Sequence, residues 1–239
     1  MVLAAGKGSR MGALSDTLPK PLTLVNGQTL LERLLAHIRR AGCDKTIVNV
    51  HHLPEKIETA LAEEIEAGFV EISDERADLL ETGGGVKKAL PLLGSQPFFV
   101  LNGDALLVDA VDTPASLVRL REHWDNDKMD VLLLLTRREE ALGYEGVGDF
   151  YAAETDETLT VEFRDSRPDA PYAYCGVQLV NPAVYEGMPE GTWSNREIFR
   201  KAAKTGRLRG LLIAGHWMHV GTPEAVVAAE HKLTEIGAE

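Results

Sequence analysis

The sequence is poor in cysteine, in net positive charge and in long apolar runs, and each shortage excludes a class of protein. Its two cysteines, Cys43 and Cys175, are too few and too far apart to suggest a disulfide scaffold or a zinc site. No apolar run approaches the roughly 20 residues that a membrane-spanning helix needs. The formal net charge of -12 argues against a nucleic-acid surface, which needs a basic face. We therefore expect a cytoplasmic protein whose partners include neither nucleic acid nor a membrane.

The chain does have the length and the pattern of a single α/β domain. Its 239 residues are enough to bury a full core. Apolar periodicity predicts helices over 29–42, 54–68, 82–93 and 114–123, alternating with strands over 46–50, 69–72, 98–101 and 131–135. This alternation predicts a mostly parallel, doubly wound (Rossmann-like) sheet with helices on both faces. In such folds ligands bind at the carboxyl ends of the strands.

The second part of the chain departs from this alternation. The remaining predicted elements are β-rich stretches at 147–153, 159–163 and 174–180, a helix over 195–204 and a strand over 208–213. Polar turns separate the β-rich stretches, which predicts a small antiparallel excursion over the pocket. A last helix begins after Thr222, an expected N-cap that is followed by Pro223 at the first helical position.

A glycine loop near the start of the sequence is the first stretch that points to chemistry. A short apolar strand leads into Gly6-Lys7-Gly8-Ser9-Arg10, and Lys20 follows. Glycines let backbone N–H groups approach a polyphosphate, and the cations neutralise it. The spacing fits neither a Walker A loop nor a Rossmann dinucleotide fingerprint. A positive stretch in an acidic chain indicates an anion site; the alternative is a glycine turn with solvated basic residues.

Asp104 is the second candidate functional residue. It follows a buried strand in the turn Asn102-Gly103-Asp104, so its carboxylate is expected to project into the cleft. Mg²⁺ bound to nucleotide phosphates takes one or two protein carboxylates, which makes Asp104 a candidate metal ligand. The alternative is an ordinary turn aspartate.

A second glycine run, Glu81-Thr82-Gly83-Gly84-Gly85, is the third candidate. Thr82 is expected to cap the following helix, and the glycines are expected to expose free N–H donors to a ligand. Three glycines in the first turns of a helix cost roughly 1 kcal/mol each relative to alanine, which suggests that something approaches the backbone closely. The alternative is a flexible loop before a later helix start.

Several motifs of the sequence resemble those of the sugar-1-phosphate nucleotidyltransferases. The matching segments are 3–11, 19–22, 49–51, 101–104 and 216–222, so the resemblance covers nearly the whole chain. Within that family, segments 80–85, 89–94 and 148–150 look most like N-acetylmuramate-1-phosphate uridylyltransferases. Mannose-1-phosphate guanylyltransferases are close in pattern.

The resemblance implies a nucleotide-binding α/β fold and a nucleotidyl transfer reaction. The nucleotidyl group would pass from an NTP, expected to be UTP, to a sugar 1-phosphate, expected to be N-acetylmuramic acid 1-phosphate. The products would be pyrophosphate and a nucleotide sugar, in the recycling of cell-wall sugars. Residues 1–142 would form the nucleotide-binding half and residues 143–239 the sugar-binding half of one domain. The alternatives are a mannose-1-phosphate guanylyltransferase and a catalytically weak nucleotide-sugar-binding sensor or partner subunit.

The resemblance also assigns roles to individual residues. The residues expected to bind nucleotide are Ala5, Gly6, Gly8, Ser9, Arg10, Lys20, Thr82, Gly83 and Gly84. Arg10 would stabilise the leaving pyrophosphate, and Lys20 would bridge the α-phosphate and the sugar phosphate. Asn102 and Asp149 would contact the sugar. Because this chemistry depends on positioning and charge neutralisation, Arg10, Lys20 and Asp104 are the expected catalytic residues.

His219 marks the main departure from the family pattern. It stands where the family has a second metal-binding aspartate. Imidazole suits transition metals better than Mg²⁺, so His219 is either a substitute metal ligand beside Asp104 or a neutral hydrogen-bonding replacement. The expected cofactor is Mg²⁺, with Mn²⁺ as the alternative. His51 and His52, which follow a predicted strand, are expected to line the cleft.

Overall fold

The computed structural model describes residues 1–155 and 157–238. Its strands are β1 (Val2–Leu3), β2 (Leu24–Val25), β3 (Gln28–Thr29), β4 (Thr46–Val50), β5 (Val70–Asp74), β6 (Phe98–Asn102), β7 (Ala105–Asp109), β8 (Val131–Arg137), β9 (Phe150–Thr155), β10 (Thr158–Phe163), β11 (Tyr172–Val180), β12 (Leu208–Leu212) and β13 (Gly215–His219). Its α-helices are α1 (Leu30–Arg40), α2 (Pro54–Ala60), α3 (Ala62–Glu66), α4 (Glu81–Leu93), α5 (Ser116–Glu122), α6 (Arg196–Lys204) and α7 (Pro223–Glu235). Short 3₁₀ helices span Ser9–Asp16, Lys20–Leu22, Arg138–Glu140 and Pro182–Tyr185. No helix within the described ranges has the length and apolar character needed to cross a membrane.

The main sheet is mixed, in the strand order β5-β4-β1-β6-β11-β8-β12-β10-β9. Strands β5, β4, β1 and β6 run parallel to one another, and β12 runs parallel to β8. Strand β11 is antiparallel to both β6 and β8, and β9 and β10 form an antiparallel edge. The predicted α/β fold with an antiparallel excursion is therefore confirmed.

Two hydrophobic cores, one on each face of the sheet, make the fold doubly wound. In β6, Phe99 and Leu101 share a core with residues of α1 and α5. The intervening Phe98 and Val100 share the other core with residues of α4 and α6. This alternation follows from the two-residue period of a strand, which turns successive side chains to opposite faces.

The strand predicted over 174–180 lies at the centre of the sheet rather than over the pocket. β11 pairs with β6 on one side and with β8 on the other. Its side chains Val177 and Val180 are fully buried, at 0% exposure. A strand covered on both faces needs a nearly continuous apolar run, which is the pattern this segment has.

The helix predicted over 54–68 is interrupted. α2 ends at Ala60, α3 begins at Ala62, and Leu61 between them leaves the helical backbone with φ -104° and ψ 9°. The Leu61 side chain is buried in the core, only 2% exposed. The apolar periodicity of the sequence did not reveal this interruption.

A two-stranded antiparallel pair, β7 with β13, was not predicted. The register sets His219 opposite Ala105 and Trp217 opposite Leu107. Only the tight turn Gly103-Asp104 separates β7 from β6. The apolar pattern of the sequence therefore did not distinguish the two strands. The pair brings the segment 215–219 against the turn that carries Asp104.

An aspartate with a largely buried side chain, at the end of β7, connects this strand to two helices. Asp109 Oδ1 accepts hydrogen bonds from the backbone N–H and the hydroxyl of Ser116 in α5, at 2.8 and 2.6 Å. Its Oδ2 lies 3.2 Å from His37 Nδ1 in α1. Burial alone would raise the pKa of Asp109, but the contact with His37 and the hydrogen bonds from Ser116 outweigh it and lower the pKa to about 2.

The lowered pKa of Asp109 predicts a pH-dependent contribution to stability. Because the pKa is lower in the folded chain than the ordinary 3.8, the stabilisation is present above about pH 4 and is lost as the pH falls toward 2. We expect Asp109→Asn to lower the free energy of unfolding near neutral pH by about 2 kcal/mol. Urea unfolding at pH 7, 4 and 3 measures this. The control is Asp112→Asn, which removes the same charge from an exposed residue; an Asp109→Asn deficit that stays constant with pH would contradict the ionic explanation.

Candidate active site

A cavity of about 400 Å³ lies where β1 and β6 end. The predicted site residues that line it are Ala5, Gly6, Gly8, Ser9, Arg10, Lys20, Thr82, Asn102 and Asp104. Of the other predicted site residues, all within the described part of the chain, Gly83, Gly84, Asp149 and His219 do not line it. The position at the carboxyl ends of parallel strands is the one expected for a ligand site in a doubly wound sheet.

The glycine loop after β1 presents backbone N–H groups at this cavity. In the described part of the chain, the N–H groups of residues 6–10 make no backbone hydrogen bond. Gly8 has a left-handed backbone with φ 63°, and a Cβ there would lie 3.1 Å from the Lys20 Cβ. Glycine thus lets the loop pass close over Lys20. A Cβ at Gly6 would meet nothing within 4 Å, so the loop faces open space there, and Arg10 is exposed beside it.

A buried polar network holds the loop against α4. Asn49 Oδ1 accepts a hydrogen bond from the Ala4 backbone N–H at 2.7 Å, and Asn49 Nδ2 donates to Glu75 Oε1 at 2.8 Å. The other Glu75 oxygen accepts from the Leu80 N–H at 3.3 Å. Burial raises the pKa of Glu75. The network links the end of β1 to the residue before α4, and so fixes two walls of the cavity relative to each other.

His51 and His52 support this arrangement and do not line the cavity, contrary to expectation. The His51 ring nitrogen Nδ1 lies 2.7 Å from the Glu75 carbonyl oxygen. His52 Nε2 lies 2.7 Å from the Ser15 carbonyl oxygen, at the end of the loop's 3₁₀ helix. Both imidazoles therefore satisfy backbone acceptors next to the site.

Lys20 and Asp104 form an ion pair at the cavity wall. Lys20 Nζ lies 2.6 Å from Asp104 Oδ2, and the Lys20 residue is only 8% exposed. Burial alone would raise the pKa of Asp104, but contacts with His219 and Lys20 outweigh it and hold that pKa well below its usual range. Asp104 is therefore a carboxylate at neutral pH, and the predicted cation and the predicted anion of the site are direct neighbours.

The turn that carries Asp104 packs tightly against β1. A Cβ at Gly103 would lie 2.7 Å from the Leu3 carbonyl oxygen and 2.9 Å from Pro21 Cγ. The Gly103 N–H donates to that same carbonyl at 3.0 Å. Only glycine fits this close approach, and it sets Asp104 directly across from Lys20.

His219 reaches Asp104 because of the β7–β13 register. Its Nε2 lies 3.7 Å from Asp104 Oδ2, and its ring stacks on Trp217 with centroids 5.9 Å apart. A carboxylate and an imidazole thus converge at one point. The described residues contain no group of three or more His, Cys, Asp and Glu side chains that could hold a metal ion. This donor set fits a divalent cation that takes its remaining ligands from phosphate and water, as Mg²⁺ does beside nucleotides.

The glycine run at the start of α4 is occupied by the chain itself. The N–H groups of Gly83 and Gly84 donate to the Trp193 carbonyl oxygen, at 2.8 and 3.1 Å. A Cβ at Gly83 would lie 2.2 Å from the Trp193 ring, and one at Gly84 would lie 2.0 Å from the Gly191 carbonyl oxygen. The expectation of free N–H donors is therefore wrong for these two glycines. The energetic cost of glycines in a helix predicted that something approaches this backbone closely. Residues 191–193 of the chain itself make that approach.

Thr82 is not the N-cap of α4. The helix begins at Glu81, and the Thr82 hydroxyl accepts a hydrogen bond from the Asn195 N–H at 2.8 Å. The Trp193 N–H also donates to the Leu80 carbonyl oxygen, at 3.2 Å. The segment before α6 packs against the start of α4. The first turn of α4 therefore makes long-range hydrogen bonds instead of a local cap. These contacts clamp Thr82 and Ser194 together at the cavity.

Asp149 lies beyond the cavity with both carboxylate oxygens engaged. Oδ2 accepts from the Tyr174 N–H at 3.1 Å and from the Tyr144 hydroxyl at 3.3 Å. Oδ1 faces Arg196 Nη1 at 3.2 Å. Burial and the Asp149 charge raise the pKa of Tyr144 to about 12, so the hydroxyl stays protonated and donates. The predicted contact of Asp149 with a sugar stays a prediction.

Comparison with known proteins agrees with this geometry. Residues 1–219 match the family model described as a MobA-like NTP transferase domain. The chain belongs to the MobA-like NTP transferase family. It is 38% identical over 98% of its length to the N-acetylmuramate alpha-1-phosphate uridylyltransferase of Caulobacter vibrioides, of which 96% is covered. The enzyme of the same name from Neisseria meningitidis serogroup B is 33% identical, over 93% of this chain and 92% of that protein.

A solved structure shares the fold of this NTP transferase. Apo UDP-glucose pyrophosphorylase superposes with a TM-score of 0.78 at 16% identity, over 99% of this chain and 98% of that one. The predicted resemblance to sugar-1-phosphate nucleotidyltransferases is confirmed by the family model and by the two similar uridylyltransferases. Of the segments that carried it, 3–11, 19–22 and 101–104 include residues that line the cavity.

Sequence reasoning missed several residues of this NTP transferase that shape its site. Glu75 and Ser194 carried no motif, and Asn49 appeared only within a matching segment. Glu75 follows the predicted strand 69–72, so its position at a strand end was the available signal. No local pattern marks Ser194, because it enters the cavity only through the clamp between α4 and the segment before α6.

Proposed function

We propose that this chain transfers a uridylyl group from UTP to N-acetylmuramic acid 1-phosphate, with release of pyrophosphate. The observation that carries the proposal is the ion pair of the buried Lys20 with Asp104, which faces a loop of unpaired N–H groups in one cavity. Two proteins named N-acetylmuramate alpha-1-phosphate uridylyltransferase are similar to this chain over most of its length. They support the choice of UTP and of this sugar.

The loop and its cations account for phosphate binding. The N–H groups of residues 6–10 would bind the triphosphate, with Arg10 at the pyrophosphate that leaves. Lys20 would leave Asp104 in part to bridge the α-phosphate and the incoming sugar phosphate. A sugar phosphate oxygen attacks the α-phosphorus, the bond to the bridging oxygen breaks, and pyrophosphate carries the electron pair away. The nucleophile is already ionised at neutral pH, so the site needs cations rather than a general base.

The two sides of the cavity suit the two substrates. Thr82, with Gly83 and Gly84 behind it, would frame the base and ribose. Asn102, at the end of β6, would contact the sugar together with Asp149. Residues 1–142 would thus hold the nucleotide and residues 143–239 most of the sugar, within one domain.

Asp104 is the carboxylate that would hold a divalent cation in this reaction. The cofactor we propose is Mg²⁺, with Mn²⁺ as the alternative that the imidazole of His219 favours. When bound, the cation neutralises phosphate charge. His219 remains either a second ligand or a hydrogen-bonding neighbour of Asp104, and the variant His219→Asp separates the two roles.

The proposed biological setting is the recycling of cell-wall sugars in the cytoplasm. N-Acetylmuramic acid is a cell-wall sugar, and its uridine diphosphate derivative would be the product. This setting depends on the identity of the sugar, which the following measurement determines.

A substrate panel tests the proposal. Pyrophosphate release is measured with UTP, CTP, GTP and dTTP, each combined with N-acetylmuramic acid 1-phosphate, N-acetylglucosamine 1-phosphate, glucose 1-phosphate and mannose 1-phosphate. We expect the highest kcat/KM for UTP with N-acetylmuramic acid 1-phosphate. Preference for GTP with mannose 1-phosphate would instead make the chain a guanylyltransferase. Nucleotide-sugar binding without turnover of any pair would make it a binding module.

A further inference from the structure

A smaller cavity adjoins the phosphate cavity on the sugar side. Its volume is about 180 Å³, and it shares Thr82, Asn102 and Ser194 with the larger one. It lies between β11 and α6. A sugar whose phosphate lies near Lys20 would extend past Asn102 into this space, because Asn102 lines both cavities.

The floor of the small cavity has a polar group that lacks a partner. Gln178 is fully buried, at 0% exposure, and lines the cavity. Its Oε1 accepts a hydrogen bond from the Tyr174 hydroxyl at 2.8 Å. Its Nε2 has no hydrogen-bond partner among the described residues. Buried amide groups are normally satisfied, so an unpartnered donor here calls for an acceptor from a ligand.

The rim of the small cavity has a cation with spare donors. Among the described residues that line it, Arg196 is the charged one. Its Nη1 is 3.2 Å from Asp149, and its side chain is half exposed. A guanidinium has five N–H donors in a planar fork that matches a carboxylate. Asp149 is itself fixed by Tyr174 and Tyr144, so it holds the guanidinium in place without using all of its donors.

We propose that Arg196 is a specificity-determining residue that binds a carboxylate on the sugar of the acceptor substrate, while Gln178 donates to a neutral oxygen of the same sugar. This inference rests on the proposed function and adds how an acidic sugar is told from a neutral one. The carboxylate is a substituent of the ring, because the sugar phosphate is needed at Lys20 in the other cavity. Besides its proposed contact with the sugar, Asp149 orients Arg196 through their ion pair.

The test compares an acidic and a neutral sugar 1-phosphate that differ in the carboxylate. N-Acetylmuramic acid 1-phosphate is N-acetylglucosamine 1-phosphate with an added lactyl ether. With UTP as nucleotide, we expect Arg196→Met to lower kcat/KM for the acidic sugar by about 10- to 100-fold, mainly through KM. The value for the neutral sugar and the KM for UTP should stay within about twofold of the parent enzyme. Arg196→Lys should recover part of the loss, because it keeps the charge but not the fork.

The matched control is Arg200→Met, one turn further along α6. Arg200 pairs with Asp165 and, like Arg196, lies over the Phe163 ring, but it does not line the cavity. We expect no change in sugar preference for this control.

Gln178→Met should lower kcat/KM for both sugars, and its melting temperature shows whether the variant is folded. Equal losses on both sugars for Arg196→Met, or none on either, would overturn the inference while leaving the proposed function intact. Absence of turnover by the parent enzyme with every sugar 1-phosphate would instead overturn the proposed function.

Discussion

Replacement of Lys20 by alanine is expected to lower kcat/KM by about 100- to 1,000-fold. The ammonium lies in a largely water-excluded wall of the cavity, 2.6 Å from Asp104, where an electrostatic contact is worth more than in water. Removal of Lys20 takes away the charge that would offset the phosphates during transfer. It also leaves Asp104 without its strongest cation, so some loss of thermal stability accompanies the kinetic effect.

Two comparison variants separate catalysis from stability in this experiment. Arg10→Ala removes an exposed cation of the same cavity and should lower kcat/KM by a similar factor with an unchanged melting temperature. Lys56→Ala removes one charge from an exposed lysine that bonds the Thr17 carbonyl and does not line the cavity; it should leave turnover unchanged. Near-normal turnover of Lys20→Ala with a normal circular dichroism spectrum would contradict the catalytic role of Lys20.

Asp104→Asn is expected to abolish activity with every metal tested, a loss on the order of 1,000-fold. Among the described residues, Asp104 is the carboxylate that pairs with both Lys20 and His219. Because a neutral amide is a poor substitute for a carboxylate toward Mg²⁺ or Mn²⁺, a higher metal concentration should not restore turnover. The measurement is pyrophosphate release in titrations of Mg²⁺, Mn²⁺ and Co²⁺. Full activity of Asp104→Asn at saturating metal would contradict this assignment.

The variant His219→Asp separates the two roles left open for the imidazole. If His219 is a metal ligand, the parent enzyme should be more active with Mn²⁺ than with Mg²⁺ at limiting concentration, because a nitrogen donor favours transition metals. His219→Asp supplies a second carboxylate and should raise the Mg²⁺-dependent activity. An unchanged rate and an unchanged metal preference in His219→Asp would show that His219 does not bind the metal.

The core of the site could be predicted from the sequence because the glycine loop and the turn with Asp104 follow strand ends. Lys20 and Asp104 are 84 positions apart. Asp104 follows the strand β6 directly, and Lys20 lies in the short motif 19–22 that carried the resemblance, after the glycine loop of β1. The parallel strands β1 and β6 are neighbours in the sheet, so the motifs that follow them meet at one edge. The same reasoning placed Asn102 in the cavity.

Long-range contacts without a local pattern could not be predicted. The start of α4 has the composition of an exposed anion site, but the Trp193 carbonyl, far along the chain, takes its N–H groups. The central position of β11 likewise depends on which strands it pairs with, and its apolar run does not specify partners. The subsite of Arg196 and Gln178 depends on both facts, because β11 provides one wall and α6 the other.

Phosphorus NMR of a reaction mixture tests the central claim most directly. UTP, N-acetylmuramic acid 1-phosphate, Mg²⁺ and the full chain are followed until UTP is consumed. We expect the β- and γ-phosphorus signals of UTP to become pyrophosphate, while the α-phosphorus appears in a diphosphate joined to the sugar, in equal amounts. Formation of UDP and inorganic phosphate, or unchanged UTP in the presence of folded protein, would contradict it.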